Sequence, residues 1–158
     1  VQGVALQEKK IWAVEHGPMG GCELNLIQPG KNYGWADVTY GRNYVTGTKI
    51  GLGIETKEGI ETPIYQWTPS NAPSSLMIYQ KDTFSKWKGS FFVTSLTYNV
   101  ITRLEFNGAT IGSEERLLDG KYGRLRLVST DSNGFIYVLT DGSNAKLLKI
   151  APITQKSF

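Results

Sequence analysis

Sulfur and histidine are scarce in this chain: one cysteine (Cys22), two methionines and one histidine (His16) among 158 residues. A single cysteine excludes an internal disulfide and a cysteine-based zinc cluster, and it decides nothing about redox compartment. No run approaches the roughly 18 consecutive apolar residues of a membrane-spanning helix. Neither sign of charge is in large excess. Seventeen Lys and Arg against fourteen Asp and Glu give +3, scattered along the chain, with Lys9-Lys10 the one basic pair. That balance favours solubility and makes no case for nucleic acid. The opening Val1-Gln2-Gly3 has no basic n-region and no apolar h-region, so no signal peptide is expected within these residues. No stretch of helical period is long enough for a confident helix. With 40% hydrophobic, 11% aromatic and 20% charged residues, disorder, coiled coil and collagen-like repeats are all excluded.

Glycine, by contrast, is plentiful: 18 residues, above the usual ~7% share. The glycines punctuate short runs rich in Val, Ile, Leu, Phe and Tyr, the pattern of strands and turns. Three times the chain offers an apolar strand, a turn, a second strand, a turn and a third strand. The first pass is 3–6, 11–15 and 23–27; the second 75–79, 90–94 and 100–106; the third 124–128, 134–139 and 146–150. Residues 62–67 precede the second pass and 115–118 the third, and each would serve as a fourth, outer strand. Four antiparallel strands recurring every roughly 40–50 residues describe a β-propeller blade. The expected fold class is therefore all-β, about three blades in one partial propeller domain over 1–158. Propellers usually have four to eight blades, so three cannot close a ring. A long loop insertion at about 29–61 carries Tyr33, Trp35, Tyr40 and Tyr44. Loops of that length inside a compact fold usually carry function or are disordered; one this aromatic is not expected to be disordered, and a packed structural flap is the alternative reading.

The string Glu15-His16-Gly17-Pro18-Met19-Gly20-Gly21-Cys22-Glu23-Leu24-Asn25-Leu26, followed by Pro29-Gly30-Lys31-Asn32-Tyr33-Gly34-Trp35, resembles the soluble pyrroloquinoline-quinone (PQQ) dependent sugar dehydrogenases, the glucose/sorbosone dehydrogenase family. Tyr65-Gln66-Trp67 through Ala72-Pro73-Ser74-Ser75, Arg124-Leu125-Arg126 and Tyr137-Val138-Leu139-Thr140-Asp141 fit that family in the same order. The resemblance implies the C-terminal half of a six-bladed propeller, an incomplete ring. It also implies that the catalytic histidine lies upstream. His16 sits in the Glu-His-Gly-Pro turn and does not match the base, so no catalytic residue is assigned.

The same resemblance implies two cofactors, PQQ and calcium. Calcium is a hard cation that takes oxygen ligands, backbone carbonyls included. The carbonyls of Gly17 and Pro18 are expected to hold the calcium that bridges to the quinone; a lone Gly-Pro reads otherwise as an ordinary turn. Glu23, by its carboxylate, and Tyr33, by its main-chain carbonyl, resemble the ligands of a second, structural calcium. Glu23 reads alternatively as a solvent-facing strand residue. Cys22 stands where the family has Asp, and a thiol is a poor ligand for a hard cation. PQQ is a planar tricarboxylate, which a rigid, permanently charged guanidinium fork suits. Arg124 and Arg126 alternate with Leu125 and Leu127 and are expected on one face, against the cofactor. Tyr44 resembles a cofactor-contacting tyrosine, and Ser95-Leu96-Thr97 a cofactor-contacting segment whose usual Lys is here Thr97. Trp67 fits a position at the substrate mouth, with a core tryptophan as the alternative.

The expected function is thus part of a PQQ- and calcium-dependent sugar dehydrogenase that oxidises aldoses at the anomeric carbon. Its expected partners are a small-molecule sugar and an electron acceptor, with no nucleic acid and no membrane span. The whole protein would be periplasmic or secreted, as monomer or homodimer. The rival is a non-catalytic propeller that binds a glycan or a protein.

Overall fold

A computed structural model describes residues 1–153. Strands β1 (Gly3–Gln7), β2 (Lys10–Glu15), β3 (Cys22–Ile27) and β4 (Tyr65–Trp67) make the first sheet, in that spatial order. The second is β5 (Pro73–Ile78), β6 (Phe91–Ser95), β7 (Ile101–Phe106) and β8 (Ile111–Leu117). The third is β9 (Leu125–Thr130), β10 (Ile136–Thr140) and β11 (Leu147–Ile150). All pairings among these strands are antiparallel. One short 3₁₀ turn, Ser85–Trp87, is the sole helical element among the described residues. These are three successive blades of a β-propeller, half of a six-bladed ring. Strands β1, β5 and β9 lie side by side as the innermost strands.

Alternation along each strand assigns the cores. In the middle sheet, Leu76, Ile78, Phe91, Val93 and Leu104 face the first sheet and meet Trp12, Val14, Cys22, Leu24 and Trp67. The intervening residues Met77, Tyr79, Phe92 and Ile101 face the third sheet and meet Leu125, Val128, Ile136 and Val138. Side chains of a strand point alternately to its two faces, so a strand buried on both sides reads as a continuous apolar run. Ser90-Phe91-Phe92-Val93-Thr94 is such a run, and all five residues are buried.

The outer strands form as expected, with shifted bounds. The outer strand expected at 115–118 runs from Ile111 to Leu117 and carries Gly112, Ser113, Glu114 and Glu115, all exposed. An edge strand packs little of its surface, so its composition carries a weak strand signal. Gly3, on β1, is required by close approach: a Cβ there would strike the Ser75–Leu76 backbone of the adjoining β5.

Candidate functional site

The turn between β2 and β3, residues 16–21, is pinned from several sides. The Gly17 N–H donates to the Cys22 thiol (3.3 Å), and that thiol lies 2.8 Å from Ser70 Oγ. The Gly21 N–H reaches the Trp67 carbonyl (2.8 Å) and Thr68 Oγ1 (3.2 Å). His16 Nε2 donates to the Pro73 carbonyl at 2.7 Å. Since a carbonyl can only accept, the Nε2 proton is committed there and the imidazole ties the first blade to the second. Cys22 is fully buried on the inward face of β3. Its thiol therefore organises the turn from the core side, away from Glu23 on the opposite face.

Hydrogen bonds run from this turn to the arginines. His16 holds Pro73, the adjacent Ser74 Oγ donates to the Leu125 carbonyl (2.7 Å), and Leu125 lies between Arg124 and Arg126. The Gly17 turn and the arginine pair thus share one end of the sheets. Both guanidinium groups converge on one carboxylate: Arg126 Nη2 lies 2.6 Å and Arg124 Nε 3.2 Å from Asp141 Oδ2. The Asp141 N–H donates in turn to the Arg124 carbonyl (2.8 Å). Hydrogen bonds from Arg126 and Arg124 hold the Asp141 carboxyl below its ordinary range. Both arginine side chains remain about half exposed, free to take a further anion.

The other expected site residues fall in different places. Pro18 gives one lone pair of its carbonyl to the Arg42 N–H (2.8 Å), which seats the insertion on the turn. Among the described residues the Gly17 carbonyl has only a weak thiol contact at 3.8 Å. Glu23 sits directly across from Glu15 in the β2–β3 register. Burial pushes the Glu23 carboxyl up, the Asn25 amide opposes this, and Glu15 adds to it. Asn25 Nδ2 donates to Glu23 (3.0 Å), while its buried Oδ1 has no protein partner. A cavity of about 210 Å³ opens here, lined by Glu15, His16, Glu23, Tyr33, Trp35 and Thr39 among others. Glu23 and Tyr33 therefore do face one space. No group of three or more His, Cys, Asp or Glu gathers among the described residues, so any metal there would lean on carbonyl and amide oxygens.

Ser95 and Leu96 are buried. The Ser95 hydroxyl donates to the Asn71 carbonyl and accepts the Tyr98 N–H, closing a turn, so only Thr97 of the three is exposed. Tyr44 is 73% exposed on the insertion. Trp67 belongs to the first interblade core, and its indole N–H donates to Glu114 (3.2 Å) beside the Tyr65 hydroxyl (2.8 Å). Burial first, and then that bond to Glu114, push the Tyr65 hydroxyl up to about 12. Trp67 thus links the blades as a core tryptophan, the alternative that the sequence held open beside a place at the substrate mouth. Sequence reading also left Asp141, Asn25 and Arg42 without roles. Asp141 was visible only as a motif member, since 15 and 17 residues separate it from the arginines it clamps.

Known proteins resemble the chain along nearly its whole length. The model of the glucose/sorbosone dehydrogenase family matches residues 1–149. The aldose sugar dehydrogenase YliI of Escherichia coli is 38% identical over 154 residues, covering 96% of this chain and 41% of that protein. A crystal structure of a glucose dehydrogenase superposes with a TM-score of 0.89 at 39% identity, over 96% of this chain and 44% of the other. The PQQ-bound aldose sugar dehydrogenase of Streptomyces coelicolor gives 0.71 at 25% identity, over 94% and 42%. The chain thus spans about two fifths of the length of these relatives. With the strand order, the Gly17-Pro18 turn and the Arg124/Arg126 pair, the family match over residues 1–149 shows that this chain belongs to the glucose/sorbosone dehydrogenase family.

Proposed function

We propose that the chain supplies the cofactor-binding half of a PQQ- and calcium-dependent sugar dehydrogenase acting on aldoses at the anomeric carbon, without carrying its catalytic base. The observation that carries this reading is the half-exposed Arg124/Arg126 pair, held rigid by Asp141 at the same end of the blades as the Gly17 turn. A pre-oriented pair of guanidinium groups suits a planar polycarboxylate, because little freedom is lost when the anion arrives. Arg124 and Arg126 would hold PQQ, with Thr97 and Tyr44 as further contacts, and the quinone when bound accepts the hydride. The Gly17 carbonyl, with the remaining lone pair of Pro18, would offer oxygen ligands to calcium. His16 serves as a strut through Nε2, so the base comes from outside these residues.

Titrating PQQ into the purified chain and following tryptophan fluorescence tests the reading. Charge-assisted hydrogen bonds contribute roughly 1.5–3 kcal/mol each, so Arg126→Ala is expected to weaken binding about 10- to 100-fold. Unchanged affinity in the Arg124→Ala/Arg126→Ala double variant overturns it. Dye reduction with aldoses is expected to be absent for the chain alone. Turnover that is lost in His16→Gln would overturn the assignment of the base.

The second calcium is supported by fit. Glu23 and Glu15 face each other, and the Asn25 Oδ1 beside them lacks a partner, a donor set that suits a hard cation. A carboxyl pushed up in the fold loses stability as pH rises from its ordinary 4.5 through the raised value, because the folded state holds the proton longer. Without divalent ions, Glu23→Gln is therefore expected to raise the melting temperature at neutral pH. Millimolar calcium should stabilise the wild type and leave the variant unmoved. Equal responses to calcium would remove Glu23 from the ligand set.

A further inference from the structure

The segment 67–73, which joins the first blade to the second, touches both the Gly17 turn and the Ser95 turn. Against residues 16–22, the Trp67 carbonyl accepts the Gly21 N–H (2.8 Å), the Ser70 N–H donates to the Met19 carbonyl (3.0 Å), and Ser70 Oγ meets the Cys22 thiol (2.8 Å). Against residues 95–98, the Asn71 carbonyl accepts the Ser95 hydroxyl and the Ala72 carbonyl accepts the Leu96 N–H (3.0 Å). Whatever fixes this segment therefore fixes the Gly17 turn relative to Thr97. The strand that leads into it, β4, is paired on its β3 side alone. Among the described residues, the hydrogen bonds that tie β4 to the second blade both end on Glu114 Oε2. They come from the Tyr65 hydroxyl (2.8 Å) and from Trp67 Nε1 (3.2 Å).

We infer that Glu114 is a positioning residue of the cofactor site: through Trp67 it holds segment 67–73 in place, and so aims the Gly17 and Pro18 carbonyls. The inference rests on the proposed role of those carbonyls toward calcium. Glu114 stands on β8, the outer strand of the second blade, opposite Leu104 and on the face turned to the first blade. Its main chain lies at the exposed edge, yet its side chain is only 23% exposed. Arg116 Nε stands 3.5 Å from the other carboxylate oxygen, and its guanidinium lies over the Tyr98 ring at 5.2 Å. The carboxylate is thus fixed through both oxygens. Two neutral donors on one ionised oxygen make charge-assisted bonds, which are stronger than neutral ones. Without that oxygen the buried indole N–H would have no partner, and a three-residue strand paired on one side would be free to shift. Groups that orient the ligands of a metal without touching it change its affinity by roughly 10- to 100-fold when removed.

Calcium-dependent uptake of PQQ by the full-length protein tests this. The quantity read is the calcium concentration that half-restores PQQ binding to chelator-treated protein, followed by PQQ absorbance. Glu114→Ala is expected to raise that midpoint roughly 10-fold. Glu114→Gln keeps a carbonyl oxygen for both donors and is expected to shift it less. Arg103→Ala is the control, breaking the Arg103–Glu115 bridge (2.6 Å) of the same two strands on their opposite face. It is expected to lower the melting temperature and leave the calcium midpoint unmoved. An equal shift in Arg103→Ala or in Glu114→Gln overturns the inference, because general loosening or loss of charge would then suffice. An unmoved midpoint in Glu114→Ala overturns it too. Should Glu114→Ala fail to fold, Tyr65→Phe/Trp67→Phe removes both donors and keeps an aromatic ring at each position; an unmoved midpoint there counts equally against it. Wild-type protein that takes up no PQQ at any calcium concentration would instead remove the cofactor reading itself, and this inference with it.

Discussion

Gly17→Ala is expected to destabilise the chain by about 3 kcal/mol, read as a lowered urea midpoint at an unchanged slope. Gly17 is buried, and a Cβ built on it would collide with the backbone carbonyl oxygens of Gly20 and Gly21. Those atoms cannot swing aside as a side chain would. The turn is also tethered through the Gly17 and Gly21 N–H groups, Cys22, Ser70 and Thr68, so relief of the clash means breaking hydrogen bonds. The Gly17 carbonyl would be re-aimed as well, and any ligand it holds would weaken with it. Gly30→Ala is the control. Open space surrounds Gly30, and only its φ of +74° opposes a side chain, so about 1 kcal/mol is expected there. Equal losses at the two positions would refute the steric account of the turn.

Trp12→Ala is expected to cost about 3–5 kcal/mol, the range for emptying a large aromatic site in a packed core. Trp12 is 1% exposed in the core between the first and second blades. Its ring meets Phe91 at 4.7 Å and Phe106 at 5.2 Å between centroids, both edge-to-face, and those two meet each other at 5.3 Å. Removing the indole takes away contacts from two blades, and rigid sheets cannot collapse into the space. Trp12→Phe should cost much less. It keeps a ring in place and deletes an indole N–H that is buried without a partner. Urea unfolding followed by circular dichroism checks both. A loss below about 1 kcal/mol for Trp12→Ala would mean that the first two blades are held together elsewhere.

Blade architecture was readable before any coordinates because its causes are local. Short apolar runs such as Ile11-Trp12-Ala13-Val14, Phe91-Phe92-Val93 and Ile136-Tyr137-Val138-Leu139 are what a β-strand needs whatever it later packs against. The glycine turns between them are equally local. Strand β8 was less readable because an edge strand buries little and is not told from a charged loop by composition. The Gly17-Pro18 turn and the alternation of Arg124 with Arg126 were visible as motifs for the same local reason.

What the site does with those motifs depended on residues far apart in the chain. Asp141 clamps both arginines across a sheet hairpin, and Arg42 reaches back to the Pro18 carbonyl from the insertion. Trp67 was drawn into the core by packing against the next blade and by Glu114, 47 residues away. Ser95 spends its hydroxyl closing a turn onto Asn71. Apolar strand runs, turn chemistry and family motifs were set by the amino-acid sequence alone, since each is a property of neighbouring residues. Which side chains remained free for a ligand was decided only by tertiary structure, because hydrogen-bond partners and burial arise when distant segments meet.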